Sequence, residues 1–247
     1  MPPRAWNKCY YLPIPARYTF VQSPQFITTP SLTYTVSTSG PIISELQKDE
    51  NVTFFFLNGL IEQPMSQEVR GLYEGPYYGY FRCDYSLTND GPDSLEEARK
   101  SGELGTSITE AYQLLYETLE EEGPFDGVIG FSHGATLAVA FLLHHATVKP
   151  LDLPFALFRC AVLIASPPPS SEDVPELKTG PLAIPTVHIA GRADTLFQES
   201  LKLHSLCQQD ISKLICHNGG HTIPRDRDFT VTAAQAIRDL ISRSMMI

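Results

Sequence analysis

The sequence lacks the paired cysteines that disulfide-rich domains and zinc sites require. Its five cysteines are an odd number, lie far apart and form no C-x-x-C pair; they are Cys9, Cys83, Cys160, Cys207 and Cys216. The spacing therefore gives no support to zinc binding or dithiol redox chemistry. We expect a protein that uses no cofactor and no metal and that folds in the reducing cytoplasm.

Long apolar runs and an excess of basic residues are also missing. No stretch approaches the ~20 apolar residues that a membrane span needs, and the first residues, MPPRAW, lack the apolar centre of a signal peptide. The 18 Lys and Arg residues face 28 Asp and Glu residues, and the net charge of −10 argues against a polyanionic partner. We expect neither a membrane nor a nucleic acid to be bound.

No internal repeat or low-complexity linker divides the chain, so we expect a single domain over residues 1–247. Residues 1–40 form its irregular, divergent N-terminal segment, with six of the 20 prolines and one predicted strand at residues 18–22. The rest alternates apolar strands with amphipathic helices. This alternation is typical of an α/β fold with a mostly parallel central sheet and helices on both faces.

The hydrophobic pattern also predicts where the later elements lie. Strands are expected at residues 52–57, 127–131, 160–165, 186–190 and 213–217, and helices at residues 41–48, 108–121, 135–145 and 229–244. A further helix is expected to begin at Ser94, with Glu97 completing a capping box. Residues 59–93, rich in Gly, Pro and Tyr, are predicted to be a long loop.

Residues 130–134, GFSHG, match the pattern G-x-S-x-G between a predicted strand and a predicted helix. This is the context of a nucleophile elbow, a tight turn in which the neighbours of the serine must be small. It makes Ser132 the candidate nucleophile and the backbone N–H of His133 a candidate oxyanion donor. The alternative is a glycine-rich turn in which Ser132 only caps the helix.

A candidate acid and base follow in the order that this type of site requires, each after a predicted strand. Asp194 follows residues 186–190, and His221 follows residues 213–217. Histidine can take the serine proton and return it to a leaving group, while a carboxylate orients the ring. Asp194 as a helix cap and His221 as an ordinary loop histidine are the alternatives, and His217 is the second candidate for the base.

These motifs resemble those of the FSH-type serine hydrolases, small α/β-hydrolases common in fungi. The resemblance covers roughly residue 31 to the end, and its motifs are residues 54–59, 75–81, 125–135, 185–194 and 220–224. It implies an esterase or thioesterase of the α/β-hydrolase fold that cleaves a small acyl ester or thioester. Some members release or edit acyl chains in fungal polyketide biosynthesis, so an acyl-carrier domain is a candidate partner.

One departure from the family concerns the second oxyanion donor. The family's Leu-His-Gly position falls within residues 23–26, SPQF, which contain no His-Gly, and Pro24 has no N–H. Either Gln25 or Phe26 donates from the backbone instead, or the oxyanion hole is incomplete.

The sequence thus supports three functional hypotheses. The leading one is acyl ester or thioester hydrolysis through an acyl-Ser132 intermediate. An aromatic wall for the acyl group would be formed by Tyr77, Tyr78, Tyr80 and Phe81. The alternative for these four residues is a packed surface loop. The second is a hydrolase fold reused as a non-hydrolytic cyclase, isomerase or binder of a biosynthetic intermediate. The third is a peptidase, although no feature of the sequence indicates that peptides are the substrate.

Overall fold

The computed structural model describes residues 17–22, 36–49, 52–63, 77–81, 103–169 and 181–246. The strands are β1 (Arg17–Gln22), β2 (Thr53–Leu57), β3 (Ile61–Gln63), β4 (Tyr77–Gly79), β5 (Gly127–Phe131), β6 (Cys160–Ile164), β7 (Thr186–Gly191) and β8 (Ser212–His217). The α-helices are α1 (Val36–Leu46), α2 (Glu103–Glu122), α3 (His133–Val148), α4 (Phe197–Ser205) and α5 (Arg227–Ser244).

Six strands form one sheet in the order β2-β1-β5-β6-β7-β8, and every neighbouring pair is parallel. All residues of β5, β6 and β7 are buried. Continuous apolar strands of this kind are covered on both faces of a sheet. The carboxyl ends of β5, β7 and β8, which precede the three candidate catalytic residues, therefore lie at one edge of the sheet.

Two apolar cores flank the sheet. The first packs α2, α3 and α4 on one face, and the second packs α1 and α5 on the other. Alternate strand residues point to opposite cores, as Val128 and Ile129 do on β5. Helices therefore cover both faces, and the predicted α/β class is confirmed.

Helix α5 is fixed at its start and along its length. The Asp226 side chain accepts a hydrogen bond from the Phe229 N–H at 2.8 Å, which caps the helix. Further along, the Arg238 guanidinium binds both carboxylate oxygens of Asp49, at 2.6 and 3.1 Å. This pair joins α5 to the end of α1 and closes the second core at its margin.

The predicted elements recur with shifted ends. Helix α1 begins at Val36 and continues through Pro41, so it lacks the one helical hydrogen bond for which proline has no N–H. Strand β6 ends one residue before the predicted end because Ala165 has a φ of 50°. Within the predicted loop 59–93, β3 and β4 form a short antiparallel pair. Three-residue strands are too short for a recognisable alternation.

Several predictions lie outside the described residues. They are the capped helix at Ser94 and Glu97, the oxyanion donors Gln25 and Phe26, and the side chain of Tyr77. Within the residues that are described, no helix combines the length and the apolar character that crossing a membrane requires.

A histidine pair joins β7 to α4, with His188 buried and His204 half-buried. His188 of β7 is 3% exposed, its ring meets the edge of the His204 ring at 4.9 Å, and its Nε2 lies 3.2 Å from the Thr186 Oγ1. Burial, and then the neighbouring His204, lower the pKa of His188 to about 3. Burial also lowers the pKa of His204. Both rings are therefore neutral at physiological pH.

This pair predicts a loss of stability in acid. The pKa of His188 in the folded chain lies below the ~6.5 of an unfolded histidine. Between these two pKa values, the imidazole is protonated in the unfolded chain and neutral in the folded chain. Stability is then complete above pH ~6.5 and falls by up to ~1.4 kcal/mol per pH unit as the pH drops toward the folded pKa. In urea titrations from pH 8 to 4, we expect His188→Gln to flatten the acid limb. An unchanged slope in this variant would contradict the prediction, and data above pH 7 serve as the internal control.

Candidate active site

Ser132 occupies a strained turn between β5 and α3. Its φ of 51° and ψ of −121° are uncommon for a residue other than glycine. The preceding Gly130 is required by space, because a Cβ there would lie 2.4 Å from the Ala135 Cα. The Ser132 N–H donates to the Ile164 carbonyl at 2.7 Å, which ties the turn to β6. The elbow predicted from GFSHG is thus a real feature of the backbone.

Asp194 lies in the turn between β7 and α4, with its side chain fully buried. Its Oδ1 accepts a hydrogen bond from the Leu196 N–H at 2.8 Å, and its Oδ2 lies 2.8 Å from the His221 Nδ1. A buried carboxylate needs partners for its oxygens, and here each oxygen has one. One oxygen thus holds the turn that leads into α4, which begins at Phe197, and the other orients the His221 ring.

His221 lies between the other two residues. Its Nε2 is 3.0 Å from the Ser132 Oγ, its side chain is 15% exposed, and its ring lies 5.1 Å from the Phe131 ring. With Asp194 ionised, Nδ1 carries the proton and donates to the carboxylate, so Nε2 presents a lone pair to the serine hydroxyl. The structure thus brings together all three residues proposed for the triad.

The turns that carry the acid and the base bind each other directly. The Arg192 N–H donates to the His217 carbonyl at 2.7 Å, and the Ala193 N–H donates to the Gly219 carbonyl at 3.1 Å. The approach is so close that a Cβ on Gly191 would lie 2.3 Å from the Gly220 carbonyl oxygen. These contacts fix the spacing between Asp194 and His221.

His217, the second candidate for the base, has another role. Its Nδ1 accepts a hydrogen bond from the Gly219 N–H at 3.1 Å, and its ring packs edge-on against Phe229 at 5.3 Å. Burial lowers its pKa, although Asp194 and Asp226 act in the opposite direction. His217 therefore shapes the turn before His221, and it is His221 that is hydrogen-bonded to the serine hydroxyl.

His133 presents its backbone at the first residue of α3, directly after Ser132. The residue is half-buried, its ring lies 4.2 Å from the Phe81 ring, and its Nε2, which is buried, finds no hydrogen-bond partner in the described part of the chain. Burial lowers the pKa of this imidazole to about 4. The ring is thus a neutral packing group, and only the N–H is available as an oxyanion donor. The predicted donors Gln25 and Phe26 fall outside the described residues, which include β1 up to Gln22, the register partner of Phe131.

The predicted aromatic wall divides in the structure. Tyr80 and Phe81 are 1% and 3% exposed, and the Tyr80 hydroxyl donates to the Leu57 carbonyl at 2.8 Å. Both rings lie in the first core against His133, so they support the elbow from behind and do not form an open wall. Tyr78 is half-buried. A substrate-wall role stays a prediction for Tyr78 and for Tyr77, whose side chain is not described.

Two contacts at the site were not predicted from the sequence. Gly191, expected only in the turn after a strand, lies against the turn that precedes the base, and Phe131, expected only as an apolar strand residue, lies beside the His221 ring. As for metals, no group of three or more His, Cys, Asp or Glu side chains in the described ranges is arranged to hold an ion.

The close approach at Gly191 predicts a strong effect of a single methyl group. Because the Cβ of Gly191→Ala would meet backbone oxygens at 2.3 and 2.4 Å, we expect a loss above the ~1–3 kcal/mol of ordinary overpacking. Gly220→Ala is the matched control, since its Cβ would have its nearest neighbour at 3.7 Å. Chemical denaturation of both variants tests this prediction. Equal free energies of unfolding would show that the close contact between the two turns does not constrain residue 191.

Solved structures share this architecture. A carboxylesterase from Bacillus cereus superposes with a TM-score of 0.56 at 17% identity, over 91% of this chain and 88% of that chain. A carboxylesterase from Mesorhizobium loti superposes with a TM-score of 0.55 at 17% identity, over 91% and 89%. At this identity the likeness shows the fold alone, and it confirms the predicted α/β-hydrolase fold.

Relatives of known sequence are closer. The chain is 35% identical to "Hydrolase phiM" of Talaromyces stipitatus over 185 residues, which is 70% of this chain and 68% of the relative. It is 32% identical to "Esterase FUS5" of Gibberella fujikuroi over 200 residues, covering 78% and 77%. The family model described as "Serine hydrolase (FSH1)" matches residues 33–233. The chain therefore belongs to the FSH1 family of serine hydrolases, as the resemblance of its motifs predicted.

Proposed function

We propose that this serine hydrolase is an esterase that cleaves acyl esters or thioesters through an acyl-Ser132 intermediate. The observation that carries the proposal is the continuous hydrogen-bonded path from Asp194 through His221 to the Ser132 hydroxyl, at 2.8 and 3.0 Å. Nucleophile, base and orienting acid in this geometry can activate an otherwise weak serine nucleophile.

The first half of the reaction forms the acyl-enzyme. The His221 Nε2 takes the proton from the Ser132 Oγ as this oxygen attacks the substrate carbonyl carbon. The His133 N–H, at the positive end of α3, stabilises the oxyanion of the tetrahedral intermediate. His221 then returns the proton to the departing alcohol or thiol, and Asp194 stays ionised throughout while it holds the ring.

The second half uses water in the same way. His221 takes a proton from the water that attacks the acyl carbon, and the Ser132 oxygen leaves with that proton as the acid is released. One oxyanion donor is worth roughly 3 kcal/mol in a serine hydrolase. A second donor from Gln25 or Phe26 would therefore affect the rate greatly while leaving the proton path unchanged.

The relatives support the substrate class. Several of them are called esterases, including "Esterase FUS5" from Gibberella fujikuroi and "Esterase OVCA2" from Bos taurus, and "Hydrolase phiM" comes from Talaromyces stipitatus. We extend the proposal to an acyl intermediate of fungal polyketide or secondary-metabolite biosynthesis, presented free or on an acyl-carrier domain in the cytoplasm. The hydrogen bond between Ser132 and His221 favours hydrolysis, because a cyclase or binder that does not use the serine would not need it.

A fluorophosphonate probe tests the nucleophile. Because His221 lies within hydrogen-bond distance of the Ser132 hydroxyl, we expect stoichiometric labelling of the wild-type chain on the peptide that contains Ser132. Labelling should vanish in Ser132→Ala, whereas Ser242→Ala changes an exposed serine of α5, whose hydroxyl donates to the Arg238 carbonyl at 2.9 Å, and should be labelled like the wild-type chain. An unlabelled wild-type chain would remove the proposed function. Full activity of Ser132→Ala on a native substrate would instead establish the cyclase or binder alternative.

A panel of three substrates with one acyl chain tests the bond that is cleaved. We expect turnover of the oxygen ester and of the N-acetylcysteamine thioester, and none of the matching amide. An alcohol or thiol leaves more readily than an amine, and nothing described at the site is devoted to binding a peptide. Steady-state kinetics with each substrate decide the matter. Hydrolysis of the amide at the rate of the ester would favour a peptidase.

A further inference from the structure

A second strained turn lies beside the nucleophile elbow. Ser132 and Ala165 have φ values of 51° and 50°, and they are the non-glycine residues with positive φ in the described chain. Each directly follows the last residue of its strand, and these last residues, Phe131 and Ile164, are register partners. Positive φ costs an L-residue roughly 1–3 kcal/mol and persists only where surrounding contacts impose it.

The two turns are joined by a pair of buried hydroxyl groups. Thr136, in the first turn of α3, is 8% exposed, and Ser166, directly after Ala165, is 1% exposed. Their oxygens lie 2.9 Å apart, and the Pro167 carbonyl oxygen is within hydrogen-bond distance of both, at 3.2 Å from the Thr136 Oγ1 and 3.0 Å from the Ser166 Oγ. The Thr136 Oγ1 also lies 3.4 Å from the Ser132 carbonyl oxygen.

The number of hydroxyl hydrogens limits how the pair can be hydrogen-bonded. Each hydroxyl carries one hydrogen, so one donates to the other and the second donates to a carbonyl. In either arrangement the pair links the helix that follows Ser132 to the segment that follows β6. The backbone adds a parallel tie, because the Ser132 N–H donates to the Ile164 carbonyl while the Ser132 carbonyl accepts from the Ala135 and Thr136 N–H groups.

We propose that Thr136 and Ser166 are positioning residues for the nucleophile, which hold the strained elbow so that the Ser132 Oγ stays at 3.0 Å from the His221 Nε2. Neither residue touches the reacting atoms; each acts through the backbone of the elbow. The role rests on the proposed function, because it concerns the rate at which Ser132 attacks. It assigns chemistry to hydroxyls that the triad itself does not use.

The variants are chosen to remove one hydroxyl at a time. Thr136→Val keeps the shape of the side chain and loses the hydroxyl, and Thr136→Ser keeps the hydroxyl. Ser166→Ala removes the partner from the other strand, so it carries the test even where Thr136→Val fails to fold. Thr147→Val is the matched control, since Thr147 lies in the same helix, donates to the Leu143 carbonyl at 3.1 Å and is at the far end from Ser132.

Three quantities are measured for each variant: kcat, KM and the rate of fluorophosphonate labelling. Thermal unfolding first establishes that the variant is folded. We expect Thr136→Val and Ser166→Ala to lower kcat for ester hydrolysis, and the rate of fluorophosphonate labelling, by roughly ten- to a hundredfold, the scale of a small misplacement of reacting groups. KM should stay unchanged. Thr136→Ser should recover most of the loss, and Thr147→Val should behave as wild type. The double variant should lose no more than the worse single variant, because both act in one network.

Three results would overturn the positioning role: wild-type kcat in both Thr136→Val and Ser166→Ala, a rise in KM without a fall in kcat, or an equal loss in Thr147→Val. The second of these would place the two residues against the substrate instead. If the wild-type chain is not labelled at all, the proposed function fails first, and the positioning role falls with it. Failure of the positioning role alone leaves wild-type labelling intact.

Discussion

A fully buried carboxylate determines how this site is built. The Asp194 side chain is fully buried, so both of its oxygens need donors, and they find them in the Leu196 N–H and the His221 Nδ1–H. The first donor fixes the carboxylate at the start of α4, and the second fixes the tautomer and direction of the imidazole. The lone pair on the His221 Nε2 then faces the Ser132 hydroxyl. Backbone contacts between the neighbouring turns keep these groups at their distances.

Close backbone contacts supply that support. Gly130 lets the elbow lie against α3, and Gly191 lets the turn carrying the acid lie against the turn carrying the base. Glycine is required at both positions because there is no room for a Cβ; neither residue has a positive φ. The elbow itself stores strain at Ser132, and the strand beside it carries a second strained residue, Ala165. Strain at a functional site needs stiff neighbours, and the buried hydroxyl pair and the parallel strands provide them.

The histidines show how surroundings decide chemistry. His221 is partly exposed and bound to a carboxylate, which suits a base. His133 is half-buried against Tyr80 and Phe81, and His188 is buried in β7. Burial lowers their pKa values to about 4 and about 3, so they act as neutral packing groups. His217 uses one nitrogen to hold a turn. Residue type alone would have allowed any of the four to be the base.

The sequence by itself determined the α/β class, the order of the main strands and helices, and the three candidate catalytic residues, because apolar runs, the GFSHG turn and loop residues after strands are local signals. Ends of elements were less predictable, since Pro41 within α1 and Ala165 after β6 depend on packing. Only the tertiary structure decided that Tyr80 and Phe81 are buried behind the elbow, that Gly191 joins two turns, and that Thr136 meets Ser166. These are contacts between residues far apart in the chain, and no periodicity or spacing within the sequence records which surfaces meet once the sheet has formed.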